Sequence, residues 1–199
     1  VEGKKTASLE IARDLVPEEP DVVVVPTGDG VIIAGIAKGF ADLVRCGLLP
    51  RVPRLVAVQP ERSGAIARAL RSGAAEITPE PGAGSVADSL TVAAPRNAVM
   101  ALKDVRASGG CGVLVSEDAI LDAIPRLAAT TGVFAEPAAA IALAGLEIAL
   151  AEGHVARDER VVLLLTGTGL KDVPSAARRV RVPEPVTPTL EAVEAFLAG

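Results

Sequence analysis

Aromatic side chains are almost missing from this chain: it has three Phe, no Trp and no Tyr among 199 residues. Surfaces that bind single-stranded nucleic acid usually stack bases on such rings, so the composition argues against that class. Basic clustering is equally sparse. The net charge is −5, and Arg178, Arg179 and Arg181 form the one tight basic group, which reads as a solvated loop. The single histidine, His154, follows Gly153 at an expected helix end and reads as a capping or surface residue. The two cysteines, Cys46 and Cys111, are too few and too far apart for a disulfide framework or a metal centre, so no metal is expected. They read as free thiols in a reducing compartment.

Long apolar runs are missing too. None approaches the roughly 18 uninterrupted residues of a membrane span. Val133–Leu150 comes nearest, and Glu136, Pro137 and Glu147 interrupt it. The first residues lack a signal-peptide layout. The expectation is a soluble, cytoplasmic protein that binds neither nucleic acid nor membrane. Val1-Glu2-Gly3-Lys4-Lys5-Thr6 runs almost directly into a helical pattern, as if the chain began partway through a larger protein.

What the chain has is small and branched apolar residues, in all half of its length. That is enough for a sizeable core, read here as one domain over 1–199 with a proline-rich tail and short helix at 180–199. Strands and helices alternate. Asp21–Pro26, with four consecutive valines, predicts a strand buried on both faces, and Val31–Cys46 has helical periodicity up to Gly47. Arg54–Gln59, Gly112–Ser116 and Arg160–Leu165 are the other expected strands. Expected helices cover Ala7–Leu15, Ser63–Ser72, Asn97–Ser108, Pro137–Glu152 and Leu190–Leu197. A further helix begins after the N-cap Ser116 and should be kinked or shortened by Pro125. The stretch Ala74–Pro95, with Pro79, Pro81, Gly82 and Gly84, reads mostly as loop. This alternation predicts a three-layer α/β/α fold with a mostly parallel sheet.

Two glycine-rich turns follow buried strands. Thr27-Gly28-Asp29-Gly30-Val31-Ile32-Ile33 lies where the first valine strand passes into a helix. Glycines there let backbone N–H groups approach a phosphate, and the helix N-terminus adds a favourable dipole. The spacing fits neither the dinucleotide fingerprint nor a P-loop. Thr166-Gly167-Thr168-Gly169-Leu170-Lys171-Asp172 follows the last strand. A threonine hydroxyl in that position can exchange a hydrogen bond with a ring nitrogen, and the glycines let a flat ring lie against the backbone. Taken singly, the first turn reads equally well as an ordinary tight connection, and the second reads more readily as one.

Taken in order, they resemble a family. Pro26–Ile33, Gly132-Val133-Phe134-Ala135-Glu136-Pro137-Ala138 and Thr166–Asp172 occur as in threonine synthases, pyridoxal-phosphate enzymes of the tryptophan-synthase-β-like fold (fold type II). Glu2-Gly3-Lys4-Lys5-Thr6 and Ala87-Asp88-Ser89 also look like that family. The resemblance implies that pyridoxal 5'-phosphate is the cofactor and that Gly28, Asp29, Gly30, Val31 and Ile32 wrap its phosphate. It implies that Thr166 contacts the pyridine nitrogen and that Glu136 belongs to the pocket wall. First-turn electrostatics at a helix start is the competing reading of Glu136. Asp29 departs from the family's usual loop, because it brings a negative charge towards a dianion unless it points away.

The resemblance also shows what is missing. In this family the lysine that bonds to the cofactor lies near the N-terminus, in a Ser/Thr-x-x-Lys-Asp/Glu-Arg-type segment. None of Lys4, Lys5, Lys38, Lys103 and Lys171 has that context. Lys171 reads as an ion-pair residue, while Lys4 and Lys5 offer a contact for a substrate phosphate. The expectation is therefore the C-terminal part of the large domain, without a catalytic residue of its own and unable alone to bond covalently to the cofactor. The whole enzyme would convert O-phosphohomoserine to threonine and phosphate, and this chain would associate with itself or with the missing N-terminal region. The alternatives are a non-catalytic phosphate-binding paralogue and a threonine or serine dehydratase.

Overall fold

The computed structural model describes residues 1–15, 17–80, 84–180 and 184–198. Pro81 and Gly82 of the expected loop, Arg181 of the basic group and part of the proline-rich tail lie outside them.

Four parallel strands form the sheet among these residues, in the order β3-β2-β1-β4. They are β1 (Val22–Pro26), β2 (Arg54–Pro60), β3 (Cys111–Val115) and β4 (Val161–Leu163). The valines of β1 alternate between two layers, which is why all of them are apolar. Val23 and Val25 meet the side built from α1 (Thr6–Leu15), α2 (Val31–Arg45), α3 (Ala65–Ser72) and α4 (Ala98–Ala107). Val22 and Val24 meet α5 (Glu117–Thr131) and α6 (Pro137–Ala151). The three-layer α/β/α reading and the parallel sheet are both observed.

Helix α6 explains the alanine-rich composition. Its Ala138, Ala139, Ala140, Ala142 and Ala144 are buried against the sheet. A Cβ at Gly145 would come within 2.5 Å of Val58, so the helix reaches β2 where no side chain fits. On the opposite layer, α2 leaves room for the first residues of the chain. A Cβ at Gly39 would lie 2.5 Å from the Lys5 carbonyl oxygen and would overlap the buried Ser8 hydroxyl.

Two expectations are corrected in detail. Pro125 does not shorten α5, which runs through it to Thr131 and stops at Gly132 with φ of +74°. The last strand covers Val161–Leu163 only, although the Leu164 N–H still donates to the Val24 carbonyl at 3.0 Å. Several short segments were not foreseen: α7 (Val173–Ala177), capped by the Asp172 carboxylate, and the 3-10 turns Glu2–Lys5, Glu61–Ser63, Asp88–Leu90 and Gly169–Lys171. Arg179 of the basic group is bound to α5 through Asp122, at 2.6 Å, and Asp118. Helix α8 (Leu190–Ala198) buries none of its residues. No described helix is long and apolar enough to cross a membrane.

Three carboxylates titrate below their ordinary range because each serves as a fastening point. Asp42 is depressed chiefly by Lys5 and then Arg45, Asp21 by the Arg160 N–H and then Arg51, and Glu159 by the Ala156 N–H and then Arg54. A depressed folded value gives stability that is present above the unfolded value and lost as pH falls through the folded one. Melting should therefore weaken below about pH 4. Asp42→Asn should lower the melting temperature at pH 7, with a smaller gap from the parent at pH 3, by circular dichroism. An equal gap at both pH values would contradict the assignment.

Candidate functional site

The parallel pairing of β1 with β4 puts the two glycine turns at the same edge of the sheet. Val24 lies opposite Leu163, so the chain leaves both strands at the carboxyl edge, into the turns that begin at Thr27 and Thr166. Ligands bind at this edge in open parallel sheets.

The first turn is held from below. Thr27 is buried, its N–H donates to the Val58 carbonyl at 2.8 Å and its hydroxyl to the Val25 carbonyl at 2.8 Å. A Cβ at Gly28 would stand 3.2 Å from the Ser89 carbonyl oxygen and 3.3 Å from the Leu90 Cα. Gly30 has φ of +89° and lies against Asn97 and Ala101, so a side chain there meets both strain and a neighbour. Among the described residues, no acceptor is recorded for the N–H groups of Gly28 through Ile33. They border a cavity of about 190 Å³ lined by Pro26–Ile33, Ser89 and Leu90. Unpaired N–H groups at the start of a 15-residue helix suit an anion.

Asp29 resolves the charge problem that its position raised. Its carboxylate accepts a hydrogen bond from the Arg96 N–H at 2.7 Å, so it is engaged with the loop before α4. Ser89 borders the cavity, whereas the Asp88 carboxylate accepts the Ser89 N–H at 2.6 Å in a local turn.

The second turn is fastened to the entrance of α6. Ala135 and Thr168 form an antiparallel bridge, the Glu136 N–H donates to the Gly167 carbonyl at 3.1 Å, and the Gly169 N–H donates to the Phe134 carbonyl at 2.9 Å. Glu136 is buried at the N-cap of α6 but makes no capping bond with its side chain. Its carboxylate instead pairs with Lys171 at 3.0 Å and packs where a Cβ on Gly167 would overlap it. Glu136 therefore stands behind the Thr166 turn. The Thr166 side chain is exposed, and no partner for its hydroxyl is recorded among the described residues.

Three of the lysines, Lys5, Lys38 and Lys171, are held in ion pairs. Glu136 holds Lys171 above the ordinary lysine range, so its ammonium is protonated and a poor nucleophile. Lys5 pairs with Asp42 at 2.9 Å and Glu2 at 3.1 Å, on the flank of α2. A larger concavity of about 450 Å³ opens at the other end of the sheet, but Asp21, Arg51, Glu159 and Arg160 around it pair with neighbouring groups.

Sequence reasoning missed Gln59 and Asn97. Gln59 is buried at the end of β2, where its amide donates to the Gly28 carbonyl at 3.4 Å and accepts the Ala67 N–H at 2.8 Å. Asn97 donates its side-chain amide to the Gly30 carbonyl at 3.0 Å and its own N–H to the Asp29 carbonyl at 3.2 Å. A polar residue ending a buried strand was the one available signal for Gln59.

Fold and sheet edge together are those of an open parallel α/β protein with an N–H-lined cavity at the carboxyl end of its first strand. The chain belongs to the pyridoxal-phosphate dependent enzyme family, whose model matches residues 1–167. It is 37% identical over 183 residues to a threonine synthase of Methanocaldococcus jannaschii, covering 92% of this chain and 45% of that protein. It is 36% identical over 199 residues to a threonine synthase of Methanosarcina acetivorans, covering all of this chain and 49% of that one. The chain thus spans about half the length of these curated relatives. Its fold matches a pyridoxal-phosphate-bound threonine synthase of Brucella melitensis with a TM-score of 0.70 at 18% identity, over 94% of this chain and 44% of the other. A processed threonine deaminase isoform of Solanum lycopersicum matches with a TM-score of 0.69 at 23% identity, over 88% and 47%. Pyridoxal phosphate is the cofactor of this family, and the N–H-lined turn with its carboxylate turned aside fits the phosphate.

The contact between Glu136 and Gly167 is open to a direct test. Gly167→Ala should cost about 1–3 kcal/mol in urea unfolding, because the new methyl displaces a buried carboxylate. In a Glu136→Ala background that cost should fall, giving a coupling of at least about 0.5 kcal/mol. Strict additivity would mean that the two residues do not meet.

Proposed function

We propose that this chain forms the cofactor cradle of a threonine-synthase-like enzyme, the whole protein converting O-phosphohomoserine and water to threonine and phosphate. The observation that carries this reading is that the two glycine turns leave adjacent parallel strands at one edge of the sheet, one lined with N–H groups that have no recorded acceptor and the other beginning with Thr166, whose hydroxyl has no recorded partner. Bound there, pyridoxal phosphate supplies an electron sink for carbanion chemistry. The chain's own residues do the holding. The N–H groups of Gly28–Ile32 take the phosphate, with the start of α2 adding its dipole. Thr166 meets the pyridine nitrogen with a neutral hydroxyl, which cannot fix a positive charge there as a carboxylate would. Glu136, neutralised by Lys171, backs the Thr166 turn without presenting a free negative charge.

With Lys5, Lys38 and Lys171 held in ion pairs and no lysine lining the cavity at the first turn, the chain alone holds the cofactor without bonding to it. Borohydride treatment of the chain with pyridoxal phosphate should leave no stoichiometric adduct on any single lysine, by mass spectrometry. One fully modified lysine would overturn this part. Joined to the half of the M. jannaschii relative that it does not match, the chain should release phosphate from O-phosphohomoserine. Release of ammonia from threonine or serine instead would favour a dehydratase.

The partner reading follows from the sheet edge. Strand β4 has a recorded partner only in β1, and Val161–Leu165 are half-buried on both faces. An apolar edge of this kind is a pairing surface. In the whole enzyme it is covered by polypeptide from the unmatched half of the relatives' length. Alone, the chain should self-associate, which light scattering would read as a mass above that of one chain; a clean monomer at all concentrations would count against it.

A further inference from the structure

We propose that Gln59 and Asn97 are positioning residues for the anion cradle, a role that rests on the phosphate reading of the turn above. Each directs a side-chain amide at a carbonyl of the loop, Gln59 at Gly28 from the end of β2 and Asn97 at Gly30 from the start of α4. The carbonyl between them, that of Asp29, accepts the Asn97 main-chain N–H.

The consequence follows from peptide geometry. A trans peptide is planar, so the carbonyl of one residue and the N–H of the next point in opposite directions. Drawing the Gly28, Asp29 and Gly30 carbonyls towards Gln59 and Asn97 turns the N–H groups of Asp29, Gly30 and Val31 the other way. Neither Gln59 nor Asn97 borders the 190 Å³ cavity, whereas Gly28 through Ile33 do. The three N–H groups therefore face one space together, the arrangement that binds an anion.

The Gly30 carbonyl also accepts the Ala34 N–H of α2 at 3.2 Å, so Asn97 adds a second hold there, and the holds matter most for the peptides before the helix begins. Gly28 and Gly30 lack the Cβ that restricts other residues, so the peptides around Asp29 have alternatives close in energy. A flipped peptide would present carbonyl lone pairs to the phosphate. Both residues are also anchored away from the loop, Gln59 by its side chain and Asn97 by its main chain. Gln59 accepts the Ala67 N–H in the first turn of α3, and the Asn97 carbonyl accepts the Ala101 N–H of α4 at 3.1 Å. The cradle is thus indexed to two helices that do not themselves reach the ligand.

The test compares the parent chain with Asn97→Ala, titrated with pyridoxal phosphate and with pyridoxal, which lacks the phosphate. Asn97→Ala should weaken pyridoxal phosphate binding about fivefold, the worth of one hydrogen bond, and leave pyridoxal unchanged. The phosphorus resonance of the bound cofactor should shift, which a loss of overall stability alone would not cause. Unchanged affinity and resonance would overturn the proposal. If the parent chain binds neither pyridoxal phosphate nor inorganic phosphate, the cofactor reading of the isolated chain fails. The positioning role is then decided by the ligand-free amide resonances of Asp29, Gly30 and Val31. Their displacement in Asn97→Ala supports it, and unmoved resonances overturn it. Should Asn97→Ala fail to fold, Asn97→Asp keeps the shape and a favourable charge at the start of α4, and the same amide resonances are read.

Discussion

Everything at this site depends on the backbone pairing between β1 and β4. The Arg160 N–H donates to the Asp21 carboxylate, Asp21 and Val22 donate back to the Arg160 carbonyl, and the register then runs Val22 to Val161 through Val24 to Leu163. Segments 139 residues apart in the chain are thereby aligned to within one residue. A one-residue slip would turn the Val161, Leu163 and Leu165 side chains away from the α5–α6 layer and move Thr166 out of line with Thr27. The buried valines of β1 enforce the register because both of its faces are packed, so any shift costs on both sides. The carboxyl edge inherits its geometry from the core.

The second tie runs through the start of α6. Glu136 joins three things that are separate in sequence: the helix that covers the sheet, the Thr166 turn and Lys171. Its N–H holds the Gly167 carbonyl and its carboxylate fills the space that Gly167 leaves open. A glycine next to Thr166 is thus explained by packing, without appeal to a ligand. The same contact turns the glutamate from a free charge into half of an ion pair with a half-exposed lysine. Exposed pairs of this sort add little stability by themselves. Here the pair sets orientation, since a buried carboxylate without a partner would seek water and release the turn.

The sheet and its layers were legible because their signal is local. Four valines bounded by Pro20 and Pro26 have few alternatives, and an alanine-rich segment between Pro137 and Gly153 reads as a buried helix from composition alone. The two turns were legible as turns, and as a pair only through their order along the chain. What stayed hidden depends on contacts between distant segments. Asp29 looked like a liability because its side-chain direction is set by the Arg96 N–H, which no local pattern reveals. Gln59 and Asn97 escaped for the same reason, as their partners lie 31 and 67 residues away. Helix α5 passes Pro125 because Ile120, Leu121, Ala123, Ile124 and Leu127 are buried on its inner face. Tertiary packing there outweighs one lost backbone bond.

The arrangement separates binding from bonding. Phosphate recognition needs N–H groups, a helix terminus and no opposing charge; Gly28–Ile33 has the first two, and the Asp29 carboxylate in it is engaged by the Arg96 N–H. Covalent attachment needs an amine of lowered basicity beside the cofactor aldehyde. The one lysine near the site has the opposite character, because Glu136 stabilises its protonated form. Removing Glu136 would free Lys171 but would also remove the side chain packed against Gly167, so a nucleophile here would be gained at the expense of the turn that begins at Thr166. In a protein of this family the reactive lysine is therefore best carried by a different segment, one whose position is set against the cradle without being part of it.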